Sequence, residues 1–172
     1  MQIQTFKIHG DNIIECERIF NFISRKINII EIKKQFISRA SIQVDITFSY
    51  NQSKFQWRLI YHPGFNKSSR KRWNNNIFDS LKTSGSFLDE TPDAIITLVS
   101  PEEENEKILC AIEFCSALQA GNQAWQRSGR AYSTIRTGCP YLYIVDFVKY
   151  ELDPSTRKRK AIRTPNPAVP YS

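Results

Sequence analysis

Apolar and polar residues alternate strictly through "SIQVDITFSY", with Ile42, Val44, Ile46 and Phe48 on one side and Gln43, Asp45, Thr47 and Ser49 on the other. The same period of two runs through "KFQWRLIYH" at Phe55, Trp57, Leu59 and Tyr61, and "NQSK" lies between them as a turn. Successive side chains of a strand point to opposite faces, so the pattern predicts a β-hairpin with one wet face. Upstream, after a short extended start, the period changes. Ile13, Cys16, Phe20, Phe22 or Ile23, and Ile27 recur three and four apart in "HGDNIIECERIFNFISRKI". That spacing predicts a helix with one core face, opened by Gly10 or Asp11 as N-cap.

"PDAIITLV" and "ILCAIEFCSA" are near-continuous in apolar residues and are separated by the acidic "PEEENEK". They read as a second hairpin whose strands are buried on both faces and sit in the middle of the sheet. A helix then runs from Gly121 or Asn122 to about Arg136 and stops at Gly138 to Pro140, before another buried strand in "YLYIVDFV". Between the hairpins, residues 63–92 turn polar, with a basic loop in "NKSSRKRWNNN" and one short helix in "NIFDSLKTSG". Helix, hairpin, excursion, hairpin, helix and strand make an α+β chain, α/β in the broad sense. The expected core is a central mixed sheet of about four or five strands with helices on both sides.

Length and composition narrow this picture. The 172 residues suit a single domain, with the core in residues 1–150 and a basic, Pro-rich arm in 151–172 that is either docked or the boundary of a piece of a longer protein. A formal charge of +7 and a pI near 9.3 call for an acidic partner, of which nucleic acid is the commonest. Cys16, Cys110, Cys115 and Cys139 form no CxxC pair and the chain has 2 histidines, which argues against a zinc site or a disulfide framework. With no apolar run near the roughly 20 residues of a membrane span and no secretory pattern at the start, a soluble, cytoplasmic protein is expected.

The candidate chemistry lies in the second hairpin. Residues facing one another across an antiparallel turn have numbers with a constant sum, so Asp93 and Glu113 pair about a turn centred on residue 103. Adjacent carboxylates repel unless a cation sits between them, and such hard oxygen ligands suit Mg²⁺, with Mn²⁺ as its substitute. The plainer alternative leaves Asp93 as a turn residue after Pro92 and Glu113 on a partly exposed strand. Against it, Leu109, Ala111, Ile112 and Phe114 leave Glu113 little room for a wet face. In the helix that follows, Gln123, Gln126, Arg127 and Arg130 fall on one face and Ala124, Ala131, Tyr132 and Ile135 on the other. The apolar side is expected on the sheet, leaving the polar side to water or to phosphate oxygens and base edges.

At Pro92-Asp93, Glu113-Phe114-Cys115 and the Gln123 helix, the chain resembles the PD-(D/E)xK nuclease superfamily, the restriction-endonuclease-like fold. The order of elements from Gly10 to Val148 is also similar to the family core, a helix before three antiparallel strands, then a helix and a further strand. The resemblance implies a Mg²⁺-dependent endodeoxyribonuclease of the type II restriction kind, with Asp93 and Glu113 as metal ligands and Glu15 or Glu17 joining from the first helix. Cys115 stands where the family has a lysine that orients the attacking water, and a neutral thiol cannot replace that charge. Gln123 and Gln126 are the nearest substitutes. Lys67, Arg70, Lys71 and Arg72, together with Arg127, Arg130 and the basic run from Arg157 to Arg163, would contact double-stranded DNA, and cutting both strands calls for a homodimer or a larger nuclease assembly. The alternative is a nuclease-fold DNA-binding module that lost activity with its lysine.

Overall fold

The short extended start forms a strand, β1 (Gln4–Gly10), and the amphipathic stretch after it forms helix α1 (Ile13–Ser24). The computed structural model describes residues 3–10, 12–38, 41–64, 83, 92–100, 106–115 and 122–145, with the backbone alone at 115, 122–126 and 145. The helix opens one residue after Asp11 and two after Gly10, the expected caps. Asn12 is the N-cap, its side chain accepting the N–H groups of Ile14 and Glu15 at 2.8 and 3.2 Å, while the Glu15 carboxylate accepts the Asn12 N–H at 2.9 Å. This reciprocal box satisfies donors that the first helical turn leaves without intrahelical partners.

Strands β2 (Asn28–Ser38), β3 (Ser41–Tyr50) and β4 (Ser53–Tyr61) follow as an antiparallel meander. The alternation read in β3 holds throughout: Ile42, Val44, Ile46 and Phe48 are buried and the residues between them are not. In β4, Leu59 and Tyr61 are buried while Phe55 lies out at the wet end of the strand. On the polar face Arg58 pairs across the strands with Asp45 at 2.8 and 3.0 Å. The turn is the two-residue kind, with Asn51 at φ 48° and Gln52 at φ 63° between the paired Tyr50 and Ser53. Two successive left-handed residues give the type I′ geometry that matches strand twist.

β5 (Ala94–Val99) and β6 (Glu106–Cys115) form the second hairpin, and helix α2 (Asn122–Ile135) crosses over to β7 (Tyr141–Val145), which lies parallel to β6. Among the described residues the sheet has 7 strands in the order β2-β3-β4-β1-β5-β6-β7. It is larger than the expected core because β1 and β2 add to it. The middle belongs to β1, parallel to β4 and antiparallel to β5, so the second hairpin lies toward the β7 edge rather than at the centre. The resemblance sets a helix ahead of three antiparallel strands; here a strand precedes the helix and separates the two hairpins.

The main core fills one face of this sheet, where Cys16 and Ile19 of α1 pack on Ile8, Val44, Ile46, Leu59, Tyr61 and Ile112. A smaller cluster of Ile95, Ala111 and Cys139 lies on the other face, since residues adjacent along a strand point to opposite sides. α1 and α2 therefore flank opposite faces. The excursion containing Lys67, Arg70, Lys71 and Arg72, and the arm 151–172, lie outside the described residues. Among those residues no helix is long and apolar enough to cross a membrane.

Candidate functional site

The β5–β6 register pairs Ala94 with Ile112, Ile95 with Ala111 and Ile96 with Cys110, and then shifts by one residue at Thr97. Continued outward from Ala94, the same register sets Asp93 opposite Glu113. Asp93 is the residue just before β5, and its carboxylate accepts the Phe114 N–H at 2.7 Å, extending the ladder beyond the last backbone pair. Pro92 is buried beside it.

Glu113 lies on the α2 face of β6, between Ile112 and Phe114 of the main core, and only 2% of its surface is exposed. Arg130 Nη1 donates to both of its oxygens at 2.8 and 3.0 Å, Arg127 Nε donates at 3.3 Å, and the Tyr141 hydroxyl donates at 3.3 Å. Burial pushes the Glu113 carboxyl above its ordinary range, the charge of Asp93 pushes the same way, and Arg130 and Arg127 pull it back. Tyr141 is shifted upward by burial and by the Glu113 charge. A carboxylate this deep needs counter-charge, and α2 supplies it.

That requirement reverses the expected orientation of α2. Arg127 and Arg130 turn inward to Glu113, Ser133 and Thr134 are buried with them, and Tyr132 and Ile135, expected on the sheet, are 67% and 58% exposed. The backbone of Gln123 and Gln126 forms the first turns of α2, while their side chains and that of Cys115 lie outside the described residues. Glu15 and Glu17 do not complete the site. Glu15 serves the N-terminal box of α1, Glu17 pairs with Lys34, and among the described residues no group of three or more His, Cys, Asp or Glu side chains gathers to hold an ion.

Two carboxylates remain as candidate ligands, and both are already engaged, Asp93 by the Phe114 N–H and Glu113 by Arg130 and Arg127. Hard oxygen donors of this number suit Mg²⁺ or Mn²⁺ shared with water and a substrate phosphate rather than a cage built from protein alone.

Sequence reasoning missed a second polar cluster on the same face. Glu106, read as part of the acidic turn, is the first residue of β6 and points inward. It accepts from Thr97 at 2.8 Å, lies 2.6 Å from His9 Nε2, and pairs with Lys7. His9 and Thr97 are fully buried, and the His62 ring meets the His9 ring edge-on at 5.2 Å. Burial holds His9 below its ordinary pKa although Glu106 opposes the shift, and Glu106 itself is lowered by its hydrogen bonds to Lys7, Thr97 and His9 against the effect of burial. The signal available in the sequence was the period of two that sets Lys7 and His9 on one face of β1. No family model, curated protein or solved structure matches the chain.

Proposed function

We propose that this chain is a divalent-metal-dependent endodeoxyribonuclease of the type II restriction kind, with a restriction-endonuclease-like core. One observation carries the reading: Asp93 and Glu113, 20 positions apart in the sequence, stand opposite one another at one end of the β5–β6 hairpin, where Glu113 is buried and feels the charge of Asp93. A shared Mg²⁺ would supply the positive charge that lowers the pKa of an attacking water and stabilises the leaving oxygen. Asp93 and Glu113 hold and orient that charge, and the sheet and α2 keep bulk water from Glu113. Gln123 and Gln126, at the start of α2, take the water-orienting role that Cys115 cannot. Lys67, Arg70, Lys71 and Arg72 contact DNA phosphates, and two copies act together to cut both strands.

The test is plasmid cleavage with Mg²⁺ or Mn²⁺ by the parent chain, Asp93→Ala and Glu113→Ala. Loss of cutting in both variants is expected, and undiminished cutting by both would refute the assignment.

A second reading has its own observation. Arg130 and Arg127 already neutralise Glu113, and Cys115 stands in the lysine position, as a DNA-binding module without catalysis would have them. That module binds duplex DNA in a salt-sensitive way, takes up no Mn²⁺ and cuts nothing.

A further inference from the structure

Helix α1 covers its face of the sheet unevenly. Ile8 and Leu59 are buried there, whereas Phe6, Trp57, Ile96 and Cys110 of the same core are only partly buried. Between these side chains and the end of α1 lies an apolar cavity of about 330 Å³, with Phe22, Ile23 and Ile27 on the helix side. A bulge shapes its floor. Ile96 pairs with Cys110 and Thr97 with Ile108, which leaves Leu109 as the extra residue of β6. Neighbours along a regular strand point to opposite faces, yet Leu109 and Cys110 both line the cavity. Among the described lining residues Lys26 alone is charged, and Phe22 and Lys26 also line a second cavity of about 290 Å³. That one is basic. Arg18, Asn21, Phe22, Arg25 and Lys26 recur three and four apart, as one stripe of α1 and its last turn, above Phe114 and Ile144. Arg18 is engaged over the Phe114 ring at 4.0 Å, so the charge offered to a ligand is that of Arg25 and Lys26. Both are exposed, and among the described residues neither pairs with a carboxylate.

We propose that the two cavities form one binding site for a long-chain fatty acid, with its alkyl chain in the apolar cavity and its carboxylate at Arg25 and Lys26. The lining selects this chemistry. A nucleobase or a sugar would carry its polar groups into a wall that offers them no hydrogen-bond partner. Cys110 does not change that wall, because burial raises its thiol to about 11 and the protonated group packs as a small apolar one. An uncharged hydrocarbon would fill the apolar cavity and make no use of the cations beside it. Both cavities are near the lower end of the roughly 300–1,000 Å³ that small-molecule sites occupy, which suits one alkyl chain rather than two. Phe22 and Lys26, common to both, mark the point where chain gives way to head. Since Arg25 and Lys26 are exposed, the carboxylate stays in contact with water, and the chain supplies most of the affinity. The site lies on the α1 face, opposite Glu113, and does not depend on the nuclease reading.

The test titrates cis-parinaric acid, a fluorescent long-chain fatty acid, into the full chain and follows emission sensitised by tryptophan, since Trp57 lines the apolar cavity. Binding should saturate at one molecule per chain. The methyl ester, which keeps the chain and loses the charge, should bind on the order of fivefold more weakly. Arg25→Gln combined with Lys26→Gln should bring the acid to the level of the ester and leave the ester unchanged. Leu109→Trp should abolish binding of both by filling the cavity; if it does not fold by circular dichroism, Cys110→Met should weaken both by adding less bulk. Equal binding of acid and ester by the parent overturns the assignment of the head. Binding that no cavity-filling variant weakens, or none that saturates, overturns the site. A chain that sediments as a dimer and excludes the probe, or that floats with anionic phospholipid vesicles and takes up no probe, gives this face to a second copy or a membrane surface and overturns the proposal.

Discussion

Replacing Arg130 by methionine keeps much of its packing volume and removes the charge that makes the two shortest contacts to Glu113, at 2.8 and 3.0 Å. Breaking a buried ion pair from one side costs about 3–5 kcal/mol, because the remaining charge is left uncompensated. Arg127 and Tyr141 stay within 3.3 Å of the same carboxylate, so the loss belongs at the lower end, about 3 kcal/mol. For a chain of this length that is roughly 6–12 °C in melting temperature. The cost also depends on pH, with a sign the site fixes. Glu113 already titrates above its ordinary 4.5 through burial and the charge of Asp93, and Arg130 is the main group pulling it back. Without Arg130 the folded-state pKa rises further. A carboxyl with a raised folded-state pKa gives its full stabilisation below the unfolded value and loses it as pH rises through the folded value. The penalty should therefore be greatest at neutral pH and shrink toward pH 4.5, where Glu113 can be protonated and the missing charge matters less. Urea unfolding followed by tryptophan fluorescence at both pH values measures this. A penalty under about 1 kcal/mol at neutral pH, or one equal at both values, would show that Arg130 does not compensate a buried charge.

Three further outcomes are independent of the reaction. His9 is fully buried with its pKa held below 6.5, so the unfolded chain takes up a proton as pH falls through 6.5 while the folded chain does not. Stability should drop from pH 6.5 downward, and His9→Gln should flatten that slope in urea titrations; parallel curves for parent and variant would refute it. A β-carbon on Gly10 would lie 2.9 Å from Cys16 Sγ and 3.1 Å from the Asn12 carbonyl oxygen. Gly10→Ala should therefore cost about 1–3 kcal/mol in thermal unfolding, with part recovered when Cys16→Ala is added, and an undestabilised single variant would count against this packing. Gln52 holds a left-handed backbone at φ 63°, so Gln52→Gly should raise stability by about 0.5–1 kcal/mol in the same assay, and a loss would mean the turn is not type I′.

The sequence is most legible where one face of an element is wet. β3 shows its alternation because each polar residue between Ile42 and Phe48 reports the opposite face, and the constant-sum rule places Asp93 opposite Glu113 because the hairpin keeps its register from Ala94 to Ile96. β2 was not read as a strand for a physical reason. As an edge strand it is exposed on both sides, with Ile30, Ile32, Phe36 and Ile37 all in solvent, so its apolar residues follow neither period. Its lysines, Lys33 and Lys34, and its two register shifts are the usual means of discouraging another strand from adding there. β1 is a different case. Its period of two was present, but nothing local says that the first strand of the chain will lie between two hairpins formed later, since that depends on long-range pairing.

α2 shows why a pattern can be right in period and wrong in direction. Spacing alone puts the arginines on one face and Tyr132 and Ile135 on the other, and transfer free energy then favours the apolar face inward. That inference omits the sheet's own charge. Burying Tyr132 and Ile135 gains a few kcal/mol, on the order of 2 per side chain, whereas leaving Glu113 without a partner costs about 3–5 kcal/mol. The two terms are of similar size, so geometry decides between them. Glu113 sits next to Ile112 and Phe114, which already belong to the core on the α1 face, and the counter-charge that its carboxylate meets among the described residues comes from α2. One ionisable residue in the middle of an apolar strand thus sets the rotation of the helix that follows it, and Tyr132 and Ile135 are exposed as a consequence rather than by any preference of their own.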